Sequence, residues 1–183
     1  MSKAAILIAD GCEECEALIQ VDMLRRAGID IDMVSITGNR QVTSARDITF
    51  ICDRVLSDFD ADAYDAVILP GGMPGTIHLK EDARVMSRIK KFNSDKKLVA
   101  AICAAPTVLG YAGILKGRNA TCYPGMEDGL TGATKKTDPV VRDGNIITSR
   151  GLGTALAFAG AIIEYLTDAP TAKRVLDGVV YKN

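Results

Sequence analysis

The residues best suited to chemistry lie in Leu98-Val-Ala-Ala-Ile-Cys103-Ala-Ala-Pro106. An apolar run, bounded by Lys96 and Lys97, stops at a cysteine and is followed by a proline that opens a helix. Proline suits the first helical turn, where its missing N–H costs nothing. Cys103 therefore falls on a strand-to-helix turn, the place where α/β hydrolases carry their nucleophile. A helix start would lower the thiol pKa from roughly 8.5. The same pattern fits a buried, inert cysteine, since Cys is among the most buried residue types.

Two further segments could serve that thiol. Gly71-Gly72 directly follows the apolar run ending at Leu69-Pro70, and glycine lets backbone N–H groups approach a ligand. The N–H groups of Gly72 and Ala104 could together form an oxyanion hole; a plain turn before a helix fits as well. In Cys12-Glu13-Glu14-Cys15-Glu16, three acids stand at a helix start and complement its dipole. Glu13 and Glu14 read as solvated caps. Glu16 shares a helix side with Gln20 and Met23 and points toward the carboxyl end of the sheet. Half-buried there, it would have a raised pKa and could relay a proton to a thiol; a third solvated cap fits the spacing equally. No metal is expected, because Cys12-x-x-Cys15 has no second ligand pair and no nearby histidine. His78, the single histidine, reads as a partly exposed structural residue rather than a partner for Cys103. A thiolate working with one carboxyl suits addition to an aldehyde or oxidation of the sulfur itself.

The elements that must position these groups alternate along the chain. Strands are predicted at Ala4–Ala9, Ile29–Ile36, Ala66–Leu69 and Leu98–Ile102, with a pair of short strands between Val42 and Ile51. Helices are predicted at Glu13–Ala27, Asp82–Phe92, Thr154–Leu166 and Pro170–Leu176. Val140 to Thr148 reads as a hairpin about Asp143-Gly144. This order predicts an α/β sandwich with a mostly parallel sheet covered on both faces. Ligands then bind beyond the strand carboxyl ends, where loops 10–16, 70–76 and 103–106 converge.

At 183 residues the chain fits one domain, 1–183. A net charge of −1 argues against nucleic-acid and anionic-membrane partners. No apolar stretch is long enough for a membrane span, and the N-terminus lacks a signal-peptide pattern. Five cysteines, an odd number, fit reduced thiols in the cytoplasm better than a disulfide framework.

Several motifs in order give the chain a family likeness: Glu13-Glu14-x-Glu16 with Val21-Asp22-x-x-Arg25-Arg26-Ala27-Gly28; Ser44-Ala-Arg46-Asp47; and Tyr64-Asp65-x-Val-Ile-Leu69-Pro70-Gly71-Gly72. Ala100-Ala-Ile-Cys103-Ala-Ala-Pro106 and Thr148-Ser149-Arg150-Gly151-x-Gly153-Thr154 complete them. On these the chain resembles the ThiJ/PfpI superfamily, in the branch of the parkinsonism-associated deglycase and bacterial ThiJ-like proteins. The resemblance implies a flavodoxin-like, three-layer sandwich with a reactive Cys103, a protonated Glu16 bonded to the thiol, and Gly72 and Ala104 N–H groups facing it. It also implies a homodimer packed partly through the first helix, with Arg46 and Arg26 of the partner subunit favouring an anion. Activities implied are cofactor-free conversion of glyoxals to hydroxy acids, removal of early glyoxal adducts, redox sensing in oxidative stress, and chaperoning. Ala104 stands where the protease-like branch has histidine, which argues against a Cys–His peptidase. Tyr123 likewise replaces a histidine of some relatives.

Overall fold

The computed structural model describes residues 2–182. Along the chain come β1 (Lys3–Ile8), α1 (Glu14–Arg26), β2 (Asp30–Ser35), and the short strands β3 (Gln41–Thr43), β4 (Thr49–Ile51) and β5 (Arg54–Val55). β6 (Ala66–Leu69), α2 (Gly75–Glu81), α3 (Ala83–Ser94), β7 (Leu98–Ile102) and α4 (Pro106–Tyr111) follow. The last third carries β8 (Asn119–Ala120), β9 (Thr134–Lys135), β10 (Val140–Asp143), β11 (Ile146–Ser149), α5 (Ala155–Leu166) and α6 (Ala169–Gly178).

Seven strands form the central sheet in the order β10-β11-β7-β6-β1-β2-β5. All neighbours run parallel except the β10–β11 hairpin. The strands read as continuous apolar runs because both faces of the sheet are covered. Successive side chains part to opposite faces. Ala4, Ile6, Ile8, Ile68, Ala100 and Ile102 join α1, α5 and α6 in one layer of core. Ala5, Leu7, Val67, Leu69, Val99 and Ala101 join α2, α3 and α4 in the other. Each fully buried Ile or Leu contributes about 2 kcal/mol. The result is a flavodoxin-like, three-layer α/β sandwich.

The helix boundaries follow local chemistry. The Glu13 carboxylate caps α1 by accepting from the Glu16 amide (2.6 Å), Arg25 and Arg26 fill its last turn, and Gly28 beyond it has φ +79°. Asp82 caps α3 and Asp168 caps α6 in the same way. One helix and three strands go beyond the sequence reading: α2, β5, and the two-residue strands β8 and β9, which pair with each other. They are short and lack a period of their own, so tertiary packing decides them. β1 is flanked by β2 on one side and β6 on the other, and chain progression reverses there. The carboxyl ends of β1 and β6 therefore border the topological switch, where α/β sheets open a binding crevice.

Candidate functional site

Three loops meet at that crevice. The Glu13 amide donates to the Gly71 carbonyl (2.9 Å), and the Gly75 amide donates to the Gly11 carbonyl (3.0 Å), tying the loop after β1 to the loop after β6. Cys103 directly follows β7, in the left-handed region at φ +64°, a conformation that costs a non-glycine residue about 1–3 kcal/mol. Bonds on both sides hold it there: its amide donates to the Ser149 carbonyl (3.0 Å), and its carbonyl accepts from the Tyr123 amide (2.8 Å).

Glu16 lies on the buried side of α1, only 1% exposed, beside the fully buried Gln20 and Met23. Its Oε2 accepts from the Gly71 amide (2.9 Å), the Leu152 amide also points at it, and the carboxyl hydrogen-bonds the Cys103 side chain. Gly71 separates the two reacting groups. A Cβ on Gly71 would stand 2.7 Å from Glu16 Oε2, 2.6 Å from Cys103 Cβ and 3.1 Å from Cys103 Sγ. The amides of Gly72, at φ +90°, and of Ala104 both donate toward the sulfur.

Electrostatics couple the pair. Burial, against the pull of the Cys103 and Gly71 hydrogen bonds, pushes the Glu16 carboxyl up to about 7. Burial first, then the negative charge and hydrogen bond of Glu16, push the Cys103 thiol up to about 12, while the Ala104 and Gly72 amides pull it back. The upward push of the Glu16 charge on the thiol exists only while the carboxyl is ionised. A proton resting on Glu16 therefore leaves the sulfur facing two backbone donors, and the two groups titrate as one unit. The lowering expected from a helix start does not dominate: α4 begins three residues beyond Cys103 and has only six residues.

These groups floor a cavity of about 350 Å³ lined by Glu13, Arg46, Gly72 and Ala104 and rimmed by Met73, Tyr123, Met126 and Leu152. Cavity size alone would favour a space of about 830 Å³ beside α2 and α3, whose walls (Lys80, Met86, Lys90 and Tyr111 among them) carry no thiol. Arg46 is exposed and borders the reactive cavity, donating to the Ala45 carbonyl (3.2 Å). Arg26 lies at the far end of α1, paired with Asp22 (2.7 Å) and outside the cavity of its own chain. His78 is exposed, with Nδ1 2.8 Å from the Asp10 carbonyl, in a separate cleft.

The acidic segment corrects one expectation. Glu14 is buried, 5% exposed, not solvated, and its Oε2 has no hydrogen-bond partner. Cys12 belongs to the core and Cys15 to the surface, and all five cysteines are free. Among the described residues, the group spaced to hold a metal is Glu13, Glu14 and Cys15, whose ligand atoms lie within 4.8 Å of one another. Glu13 is already engaged there as the α1 cap. The rim residues Met73, Met126 and Leu152 escaped sequence reading because they sit on loops that carry no periodic signal. No helix among the described residues is long and apolar enough to cross a membrane.

The chain belongs to the DJ-1/PfpI family: a sequence model of that family matches residues 2–165. It is 40% identical over 183 residues to the DJ-1beta protein of Drosophila melanogaster, covering 98% of each chain. It is 33% identical over 167 residues to a deglycase of Thermococcus kodakarensis, covering 90% of this chain and 99% of that one. Its fold superimposes on the solved structure of oxidized Toxoplasma gondii DJ-1 with a TM-score of 0.96, at 32% identity and full coverage of both chains.

Proposed function

We propose that the chain is a cysteine-dependent, cofactor-free glyoxalase or deglycase-type enzyme of carbonyl and oxidative stress, acting on small 2-oxoaldehydes or their early adducts. The observation that carries this reading is the contact of a buried, proton-holding Glu16 with Cys103 across Gly71. The deglycase name of the Thermococcus relative supports it.

In the proposed reaction the Cys103 thiolate adds to the aldehyde carbon, forming a C–S bond. The Gly72 and Ala104 amides hold the resulting oxyanion, and Glu16 supplies its proton, giving a hemithioacetal. Glu16, now a carboxylate, removes the hydrogen from that same carbon and returns it as a proton to the neighbouring carbon, while the hydroxyl proton on the first carbon passes to the former ketone oxygen. The result is a thioester, and water cleaves its C–S bond to release the hydroxy acid and the thiol. The aldehyde carbon is oxidised as the ketone carbon is reduced, so the balance requires no external redox partner. With methylglyoxal, Cys103→Ser and Glu16→Ala should each abolish lactate formation; turnover retained by the serine variant would sink the mechanism.

A second reading is favoured by the Toxoplasma relative, whose solved form is oxidized. Here two equivalents of peroxide convert the Cys103 thiol to a sulfinic acid, releasing two waters, and Glu16 and the two amides hold the product. Absent lactate with clean addition of two oxygens at Cys103, read by mass spectrometry, selects this sensor. The reading extends to a cytosolic homodimer packed partly through α1, which carries the half-exposed Leu18. That packing would bring Arg26 of the partner subunit toward Arg46.

A further inference from the structure

We infer that this site prefers 2-oxoaldehydes with a bulky apolar substituent, an aromatic ring above all, over glyoxal and methylglyoxal. The inference rests on the glyoxalase-type reading and adds to it the group beyond the ketone. The floor of the cavity is polar and small: Cys103, Glu16 and the Gly72 and Ala104 amides suffice for the two carbonyl carbons. Everything above that floor is of another kind. Met73 is 50% exposed, Tyr123 51% and Leu152 48%, and the partly buried Met126 stands with them.

Large apolar side chains left half in water normally occur singly. Here four of them, from loops following β6, β8 and β11, surround one cavity of about 350 Å³. Pockets of this size bury ligands well beyond the bulk of methylglyoxal. A methyl group meets only a fraction of the rim. A phenyl ring can lie against the Tyr123 ring in an offset or edge-to-face arrangement and can meet the Met73 and Met126 thioethers at favourable sulfur–aromatic range. Of the charged residues in the lining, Glu13 and Arg46 have opposite signs and stand beside these apolar side chains. One extra apolar group in such a pocket is worth about tenfold in kcat/KM.

The experiment compares phenylglyoxal with methylglyoxal in the wild-type protein and in a Met73→Ala/Met126→Ala double variant, with circular dichroism confirming the fold. We expect kcat/KM to favour phenylglyoxal by about tenfold in the wild type, and the ratio to fall several-fold in the double variant. A second measurement needs no turnover: the rate at which iodoacetamide alkylates Cys103, read on its peptide by mass spectrometry, with mandelate or lactate present. Mandelate should protect at lower concentration than lactate, and the double variant should lose that difference. Protection by mandelate without conversion of either aldehyde would end the glyoxalase reading and leave the role of the rim standing. Equal kcat/KM for the two aldehydes overturns the inference, as does equal protection by the two acids. A double variant that keeps the preference but sediments as a monomer where the wild type is a dimer also overturns it, by assigning the rim to contact between copies.

Discussion

The two ends of the sheet treat a carboxylate drawn away from water in opposite ways. At the amino end, Asp32 meets Lys3 (3.3 Å), Arg54 (2.8 Å) and the Tyr64 hydroxyl (2.5 Å). Burial alone would raise its pKa, yet the hydrogen bonds from Tyr64, Arg54 and Lys3 hold it below the usual carboxylate value. At the carboxyl end, Glu16 is more deeply buried and meets only backbone amides and a thiol, so burial prevails and its carboxyl reaches about 7. What a carboxylate does here follows from whether a cation accompanies it. The paired one ties strands together. The unpaired one keeps a proton that can move.

The sharpest way to break the contrast is to disturb the thiol–carboxyl contact without removing either group. Gly71→Ala places a methyl between Cys103 and Glu16; activity should drop by a factor on the order of 100, while the circular dichroism spectrum keeps its shape. Full activity in that variant would mean that the contact is not used.

Stability should then respond to pH with opposite sign at the two ends. The folded pKa of Glu16 lies above its reference of 4.5, so the folded chain binds the extra proton between about pH 4.5 and 7. That contribution is fully present below the lower value and is lost as pH rises through the upper one. Glu16→Gln, which keeps the shape and removes the titration, should gain about 3 kcal/mol on wild type in going from pH 4 to pH 8, read by urea denaturation. A variant whose difference from wild type is flat with pH would contradict the raised carboxyl.

Asp32→Asn should show the reverse trend with a smaller amplitude. The folded pKa of Asp32 is lowered, so its contribution is present above the unfolded value of 3.8 and fades as pH falls through the folded one. Loss of about 1–2 kcal/mol at pH 7, shrinking toward zero in acid, is the expected result by the same denaturation measurement.

How much of this was legible differed between regions for physical reasons. β6 and β7 announce themselves because strands covered on both faces must be apolar throughout, and Pro106 marks the helix start that leaves Cys103 on a turn. Glu16 was legible through its spacing with Gln20 and Met23 on one side of α1. Glu14 was not: an acid in a first helical turn reads as solvated, and only packing around α1 buries it. The Cys103 thiol pKa escaped as well, because the burial and neighbouring carboxyl that raise it come from elements distant in sequence. Tyr123, Met126 and Leu152 reach the cavity through loops whose paths depend on long-range bonds, such as that from the Tyr123 amide to the Cys103 carbonyl.

That bond, with its counterpart from the Cys103 amide to Ser149, has a consequence for timing. The left-handed turn at Cys103 is held by the strand beside it and by the loop after β8, so it is set when the sheet assembles. An aldehyde or an oxidant thus meets donors already aimed at the sulfur, with no backbone rearrangement left to complete. The cost of orienting the nucleophile falls on folding, once per molecule, and not on each encounter.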